Sequence, residues 1–181
     1  MPEELLLLSA ARAGDLKAFE EIIKYHEKVV ASTIKGMIGD CPEAEDIGQE
    51  TFIRFYNSLD RFRGESKIIT YLVKIATNLS LNEIRRRKSL KQRLVDDDFE
   101  QGIDYLGEVV EKEQIGEIIR NAIQKLEPKF RSVIVLRLID GLSTEETSNI
   151  LGIPIGTVLS RLSRAQIMLK KKLSPLIEEL K

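Results

Sequence analysis

Residues 68–88, with the sequence IITYLVKIATNLSLNEIRRRK, form the stretch around which this chain is organised. At about 100° per residue, one arc of the predicted helix is apolar and consists of Ile68, Leu72, Ile75, Ala76 and Leu79. The opposite arc combines an aromatic ring, two amides and two cations: Tyr71, Lys74, Asn78, Asn82 and Arg85. The apolar arc predicts that this side of the helix packs in the core of a domain. The polar arc suits nucleic acid, because cations bind phosphates, amides bind base edges and a ring stacks on an exposed base. A solvated helix face explains this arc equally well.

Three more helices are predicted before this stretch. The first spans Pro2 to Arg12, and the second is capped by Asp15 and ends at Gly39. Core positions of the second helix are Leu16, Phe19, Ile22, Ile23, Val29, Val30, Thr33 and Met37. The third buries Ala44, Ile47, Thr51, Phe52, Phe55 and Leu59, and its opposite side carries Glu43, Asp46, Gln49, Glu50 and Arg54. Residues 60–66, DRFRGES, are predicted to form a loop in which Ser66 caps the helix that follows.

Periodicity fails between Ser89 and about Leu106, where an Asp96-Asp-Asp98 run and Gly102 predict a flexible linker. Two helices then end before Pro128 and at Asp140-Gly141. Ser143-Thr-Glu-Glu146 matches the capping-box pattern for a short helix, and Gly152-Ile-Pro154 predicts a tight turn before a further helix near Ile155. This is the spacing of a helix-turn-helix unit.

The last helix of this unit has two predicted sides. Ile155, Val158, Leu162, Ala165 and Leu169 form the packed arc, while Thr157, Ser160, Arg161 and Arg164 lie outside. Arginine can bind guanine through two hydrogen bonds, and serine or threonine can bind bases or phosphates. We favour DNA binding over a hairpin used only for packing, because the cap, the glycine turn and the basic face coincide.

Helical periodicity without any strand pattern predicts an all-α protein of two small helical domains. The chain has 181 residues, of which 31% are charged. Its formal net charge of −1 is the sum of segments with opposite charge. Residues 84–93 hold six basic and no acidic side chains, whereas residues 94–118 hold nine acidic side chains and one lysine. Cys41 is the only cysteine, so no internal disulfide can form and a reducing cytoplasm is expected. No apolar segment approaches the roughly 20 residues that span a bilayer, so we expect no membrane insertion.

The two candidate DNA surfaces differ in kind. The helix-turn-helix suits duplex DNA, whereas Phe62 and Tyr71 beside amides suit unstacked single-stranded bases. Opening ten base-pair steps costs on the order of 14 kcal/mol, while each base stacked on an aromatic ring returns about 1 to 3 kcal/mol. This chain therefore needs a large partner to open DNA, and the face bearing Asp46, Gln49 and Glu50 is the candidate docking surface.

Five segments closely resemble the extracytoplasmic-function (ECF) sigma factors of bacterial RNA polymerase, in the family's order and spacing. They are residues 15–21 (DLKAFEE), 44–50 (AEDIGQE), 60–66 (DRFRGES), 70–78 (TYLVKIATN) and 152–161 (GIPIGTVLSR). The resemblance implies sigma region 2 over residues 1–90, a linker over residues 91–110 and sigma region 4 over residues 111–181. It implies that the first domain binds the polymerase β′ clamp and the melted minus-ten element, and that the second domain reads the duplex minus-thirty-five element.

The resemblance also assigns residues to these roles. Asp46, Gln49 and Glu50 match the polymerase-binding motif, and Thr157, Ser160, Arg161 and Arg164 match the minus-thirty-five positions. The minus-ten set is Arg61, Phe62, Arg63, Tyr71, Lys74, Asn78 and Arg85. Tyr71 stands where the family usually has tryptophan, and Leu159 stands where it often has lysine or arginine. The partners implied are core RNA polymerase with its β and β′ subunits, promoter DNA and an anti-sigma factor, and the free chain is expected to be a monomer.

An enzyme and a DNA-binding regulator are the two alternative classes of function. A helical carboxylate enzyme needs Glu-x-x-His pairs, but His26 is the only histidine and Ile23 stands three residues before it. One histidine and one cysteine also exclude a zinc cluster or a Cys/His nucleophile pair at any usual spacing, so we expect no catalytic residues, metal or cofactor. The remaining alternative is a helix-turn-helix regulator that binds duplex DNA on its own as a dimer.

Overall fold

The computed structural model describes residues 2–64, 66–94 and 112–179, and all regular elements within them are helical. The predicted all-α fold with two helical domains is confirmed. The elements of the first domain are α1 (Pro2–Arg12), α2 (Leu16–Ile38), α3 (Pro42–Asn57), a 3₁₀ turn (Leu59–Arg61) and α4 (Ile68–Leu94). Those of the second domain are α5 (Lys112–Gln124), α6 (Pro128–Ile134), a π-helical turn (Val135–Ile139), α7 (Thr144–Leu151) and α8 (Ile155–Glu179).

Local capping chemistry sets several helix ends where the sequence predicted them. The Asp15 carboxylate accepts hydrogen bonds from the backbone N–H groups of Lys17 and Ala18 at the start of α2. Gly39 ends that helix with a backbone φ of 85°, a conformation that residues with a side chain rarely adopt. Both hydrogen bonds of the capping box are present at the start of α7: the Ser143 hydroxyl accepts from the Glu146 N–H, and the Glu146 carboxylate accepts from the Ser143 N–H. Gly152 ends α7 in the left-handed region.

An aromatic cluster fills the centre of the first domain. Phe55 of α3 is fully buried, and its ring lies 6.1 Å from that of Phe19, 5.8 Å from Phe62 and 5.9 Å from Tyr71. Ring pairs at these separations contribute more than their buried area alone. The cluster ties α2, α3 and the loop before α4 into one core.

The helix-turn-helix of the second domain is closed by hydrogen bonds across its turn. Ser148 Oγ donates to the Ile153 carbonyl at 2.6 Å, and the Ile153 N–H donates to the Ser148 carbonyl at 3.2 Å. Val158 and Ala165 of α8 are fully buried against the rest of the domain. These contacts fix the angle at which α8 leaves the turn.

The two domains pack directly against each other. Val73 of α4 is fully buried and clusters with Leu136, Leu142 and Ile150 of the second domain. The larger core is continuous across the two domains as well. The buried side of α4 is wider than the arc that the sequence predicted, since Val73, Thr77 and Ser80 are also fully buried.

Several sequence expectations are corrected. α4 continues to Leu94, so part of the predicted linker is helical, and the rest of it, residues 95–110, lies outside the described residues. Leu16 and Ile155, expected in the core, are 65% and 50% exposed, because each is the first residue of its helix and projects past the packed turn.

His26 is buried, with 4% of its surface exposed. Its Nε2 lies 2.9 Å from Glu4 Oε1, so α1 covers it. Burial lowers the pKa of His26, and the nearby Glu4 carboxylate only partly opposes this effect.

Candidate nucleic-acid and polymerase interfaces

The polar stripe of α4 is arranged as the sequence predicted. Lys74, Asn78 and Arg85 are exposed and Tyr71 is half-buried, whereas Leu72 and Ala76 on the opposite side are fully buried. Arg85 Nη1 donates to Asn82 Oδ1 at 2.9 Å, which holds the guanidinium over the stripe. One helix thus combines a core-facing side with a line of cations, amides and one ring that reaches solvent.

The loop before α4 forms one wall of a hollow at the start of this stripe. Arg61, Phe62, Arg63, Ser66 and Tyr71 surround a volume of about 280 Å³. Two guanidinium groups at its rim favour an anionic ligand, and the Tyr71 ring offers a flat apolar wall. This hollow has the chemistry to hold a base whose phosphates lie outside.

Phe62 is not placed as the sequence predicted, because its side chain is only 6% exposed. Its ring packs edge-on against Tyr71 at a centroid distance of 5.1 Å, and its carbonyl accepts a hydrogen bond from the Arg12 guanidinium. A base therefore cannot stack on Phe62 in this arrangement. Phe62 instead supports Tyr71 from behind.

Neighbouring arginines at the end of the stripe have different partners, which helical periodicity alone did not predict. Arg86 and Arg87 donate to Glu83 at 2.7 and 2.8 Å, and Arg87 also reaches Glu43 of α3 at 3.0 Å. Hydrogen bonds from Arg86, and then from Arg87, hold the pKa of Glu83 below its usual value. These two arginines tie α4 to the start of α3, whereas Arg85 pairs with Asn82 of the stripe.

The predicted docking face of α3 is solvent-accessible. Asp46 and Gln49 are exposed, and Glu50 accepts a hydrogen bond from Arg54 Nε at 2.7 Å. Beside it, α2 and α3 form a groove of about 400 Å³ with apolar side chains below and polar side chains at the rim. The groove is lined by Ile23, Glu27, Val30, Ala31, Lys35, Asp40, Cys41, Ala44, Glu45, Gly48, Gln49 and Phe52. An apolar floor with a polar rim is the usual composition of a protein-binding surface.

On α8, Ser160 and Arg164 are exposed, while Thr157 and Arg161 are half-buried at the edges of the same face. Ser160 Oγ donates to the Thr157 carbonyl at 3.1 Å. Leu159 and Ile167 add exposed apolar surface, 52% and 67% accessible respectively. Polar, cationic and apolar groups are therefore all available on the exposed side of this helix.

Within the part of the chain that the structure describes, no three acidic, histidine or cysteine side chains lie close enough together to hold a metal ion. No described helix is both long enough and apolar enough to cross a membrane.

Comparison with known proteins identifies the family. The family model for Sigma-70 region 2 matches residues 22–90, and the model for Sigma-70 region 4 matches residues 116–166. The ECF RNA polymerase sigma factor SigW of Bacillus subtilis is 34% identical over 179 residues, covering 93% of this chain and 96% of the relative. This chain is an ECF sigma factor. The ECF RNA polymerase sigma-E factor of Escherichia coli K12 is 35% identical over 192 residues, covering 98% of the sigma factor described here and 99% of the relative.

Solved structures agree with this assignment. The sigma factor RpoE of Bartonella quintana, in complex with the anti-sigma factor NepR, matches with a TM-score of 0.70 at 25% identity, covering 87% of this chain and 98% of that chain. CnrH, in complex with the cytosolic domain of CnrY, matches with a TM-score of 0.70 at 23% identity over 96% and 98% of the two chains and supports the fold.

The sigma factor directs RNA polymerase to promoters, which confirms the function expected from the sequence. A helix-turn-helix regulator that acts without polymerase is not favoured.

Proposed function

We propose that the sigma factor divides promoter recognition between its two domains. Residues 1–90 act as region 2, which binds core polymerase and the melted minus-ten element, and residues 111–181 act as region 4, which reads the duplex minus-thirty-five element. Residues 91–110 connect them. The observation that carries this proposal is the α4 stripe, whose exposed amides and cations lie in line with the half-buried Tyr71 ring beside the hollow of the preceding loop.

Polymerase docking is assigned to α3 through Asp46, Gln49 and Glu50. The apolar groove beside them adds area that can be buried in a complex, and its polar rim can fix the orientation of a partner helix. The β′ clamp is the proposed occupant, and the β subunit is the proposed neighbour of the second domain. The energy for opening DNA then comes from the whole polymerase complex.

Minus-ten recognition is assigned to Arg61, Arg63, Tyr71, Lys74, Asn78 and Arg85, with Phe62 in a supporting position behind Tyr71. A base flipped from the melted strand would enter the hollow and stack on Tyr71, while the arginines bind the adjoining phosphates. The amide of Asn78 is available to bind a base edge.

Minus-thirty-five recognition is assigned to Thr157, Ser160, Arg161 and Arg164 on α8. The N-terminal turns of a recognition helix contact base edges in the major groove. Arg164 is the exposed cation on this face that suits guanine, and Ser160 can bind a base or a phosphate.

An anti-sigma factor is a further proposed partner, because RpoE of Bartonella quintana was solved in complex with NepR. We place the free sigma factor in the cytoplasm, where its polymerase partner acts, and propose that it is monomeric until it binds one of these partners.

The polymerase role is tested by gel filtration with bacterial core RNA polymerase. The Asp46→Ala, Gln49→Ala double variant should no longer co-elute with core, whereas the control pair Glu20→Ala, Glu21→Ala on exposed α2 positions should co-elute as the wild type does. Unchanged co-elution of the α3 variant would remove the docking assignment.

The division between domains is tested with promoter fragments selected by transcription. Arg164→Ala should reduce binding of duplex minus-thirty-five DNA by the holoenzyme while leaving co-elution with core intact, and Lys170→Ala, six residues further along α8, serves as the control. Loss of core binding in Arg164→Ala would contradict the proposed division.

A further inference from the structure

The loop that precedes α4 is held at its start by a residue of the N-terminal helix. Arg12, the last residue of α1, donates from Nε to the Leu59 carbonyl at 2.9 Å. A second nitrogen of the same guanidinium donates to the Phe62 carbonyl. Leu59 is the first residue of the 3₁₀ turn, and Phe62 directly follows its last residue. One side chain of α1 therefore spans the turn from which the loop begins.

α1 is itself fixed on the first domain, which gives Arg12 a defined position. Leu8 and Ala11 of α1 are buried in the main core. Nearer the start of the helix, Glu4 Oε1 lies 2.9 Å from Nε2 of the buried His26 on α2. Chain termini are poorly ordered unless such contacts hold them. The guanidinium of Arg12 is thus attached to a helix that is anchored along its length.

The two hydrogen bonds suit an arginine better than another cation. A guanidinium is planar and presents its N–H donors in a rigid fork, so two carbonyls bonded to it are held at a fixed separation. A lysine ammonium places its donors on one rotating nitrogen and does not fix that separation. Residues 62–64, 66 and 67 belong to no helix, so helical hydrogen bonds do not order them. The Arg12 fork adds a fixed point where the regular turn ends.

The fixed backbone carries the groups that surround the hollow beside the α4 stripe. The buried ring of Phe62 supports Tyr71 from behind, at a centroid distance of 5.1 Å. Arg61 and Arg63, the sequence neighbours of Phe62, lie at the rim of the same hollow. A shift of the Phe62 backbone would therefore move the supporting ring and both guanidinium groups together. Binding sites need such groups to be held within about 0.5 Å of their working positions.

We propose that Arg12 is a positioning residue for recognition of the minus-ten element. Its guanidinium touches no base in this role, but it fixes the backbone on which the hollow is built. This inference rests on the proposed function, because it concerns the hollow assigned to the flipped base. The family model for Sigma-70 region 2 begins at residue 22, so α1 lies outside it and still takes part in promoter recognition.

Limited trypsin digestion of the free, full-length chain tests whether Arg12 anchors the loop. Trypsin cleaves after arginine, and Arg61 and Arg63 are exposed in the loop. Arg12→Ala should be cleaved there about tenfold faster than the wild type, because cleavage follows the population of the open loop. Lys17→Ala removes an exposed cation of α2 and should be cleaved at the wild-type rate. Cleavage at Arg86 of α4 reports general unfolding and should be equal in all chains.

Base capture is tested with holoenzyme and a fluorescein-labelled forked probe, taken from a promoter selected by transcription, whose minus-ten strand is single-stranded. An abasic site replaces each single-stranded base in turn, and anisotropy measures binding. Loss of the captured base should weaken wild-type binding about tenfold, as expected for one base stacked on an aromatic ring. In Arg12→Ala the ratio of the two affinities should fall to about one, because the anchor and the base act on the same contact. Arg12→Lys keeps the charge without the fork and should behave like Arg12→Ala.

A direct contact of Arg12 with a phosphate would give a different pattern. Arg12→Ala would then weaken the intact and abasic probes equally, Arg12→Lys would restore binding, and the affinity of Arg12→Ala would depend less on salt. That pattern would overturn the positioning role, and so would a wild-type abasic ratio in Arg12→Ala.

The digestion separates failure of the anchor from failure of the proposed function. Unchanged cleavage at the two loop arginines of Arg12→Ala would overturn the anchor. If wild-type holoenzyme lost no affinity for any abasic probe, the proposed capture of a base would fail, and the digestion would still decide whether Arg12 holds the loop.

Discussion

Asp140 provides a pH-dependent test of how firmly the domains pack. Its carboxylate follows the π-helical turn of the second domain and lies 3.0 Å from Thr33 Oγ1 on α2. Burial raises the pKa of Asp140 from 3.8 to about 6, and the hydrogen bond from Thr33 only partly opposes this. The Val29 carbonyl lies 2.9 Å from the same Thr33 hydroxyl and is an alternative acceptor of its one proton, so a protonated Asp140 that donates to Thr33 satisfies all three groups at once.

The sign of the effect follows from this raised pKa. The folded protein binds the Asp140 proton more tightly than the unfolded chain, so the stabilisation is fully present below pH 3.8 and is lost as the pH rises through about 6. At 1.36 kcal/mol per pKa unit, the difference between the two values corresponds to about 3 kcal/mol. Asp140→Asn keeps the size of the side chain without its charge. It should raise the free energy of unfolding by up to about 3 kcal/mol at pH 8 and by little at pH 4.

Urea denaturation between pH 4 and pH 8 measures this difference. Asp40→Asn is the control, because the Asp40 side chain is 81% exposed in its ion pair with Lys35, and an exposed pair contributes at most about 1 kcal/mol. If Asp140→Asn matched the wild type at every pH, Asp140 would not be buried in solution, and the packing described for the π-helical turn against α2 would be refuted.

Three further predictions concern single contacts. Ser143→Ala removes one half of the capping box, and thermal unfolding should show a loss of about 1 kcal/mol; no loss would mean that the cap is not formed. Glu83→Gln weakens the pairs to Arg86 and Arg87 and should cost about 1 kcal/mol at pH 7. Because the pKa of Glu83 is lowered on folding, its contribution is present above pH 4.5 and disappears in acid; an equal cost at pH 3 and pH 7 in urea titrations would contradict this. Leu159→Ala should weaken holoenzyme binding to a thymine-containing minus-thirty-five duplex roughly fourfold, and binding to the same duplex with deoxyuridine should not change, since leucine's apolar partner in the major groove is the thymine methyl. Anisotropy measures both, and equal losses on the two duplexes would exclude that contact.

Helix positions followed from the sequence because they depend on neighbours within a few residues. The Asp15 cap, the positive φ of Gly39 and the Ser143 capping box all act through local hydrogen bonds or local sterics. The same is true of the α4 stripe, since helical periodicity alone decides which side chains share a face.

The site was less predictable where side chains are placed by distant contacts. Phe62 and His26 are buried by Phe55 and by α1 respectively, and the sequence gives no sign of either. Arg86 and Arg87 belong to a run that the sequence describes as one cationic patch, yet they pair with Glu43, which lies more than 40 residues earlier.

By itself, then, the sequence determined the helices, the helix-turn-helix and the family, because capping, periodicity and motif spacing are short-range properties of the chain. Only the tertiary structure decided which faces remain accessible. The contacts of Gly36 with Val135 and of Thr70 with Glu146 join residues 99 and 76 positions apart. Such pairs form only when the packing of whole helices offsets the entropy of closing a long loop, and no local pattern records that balance.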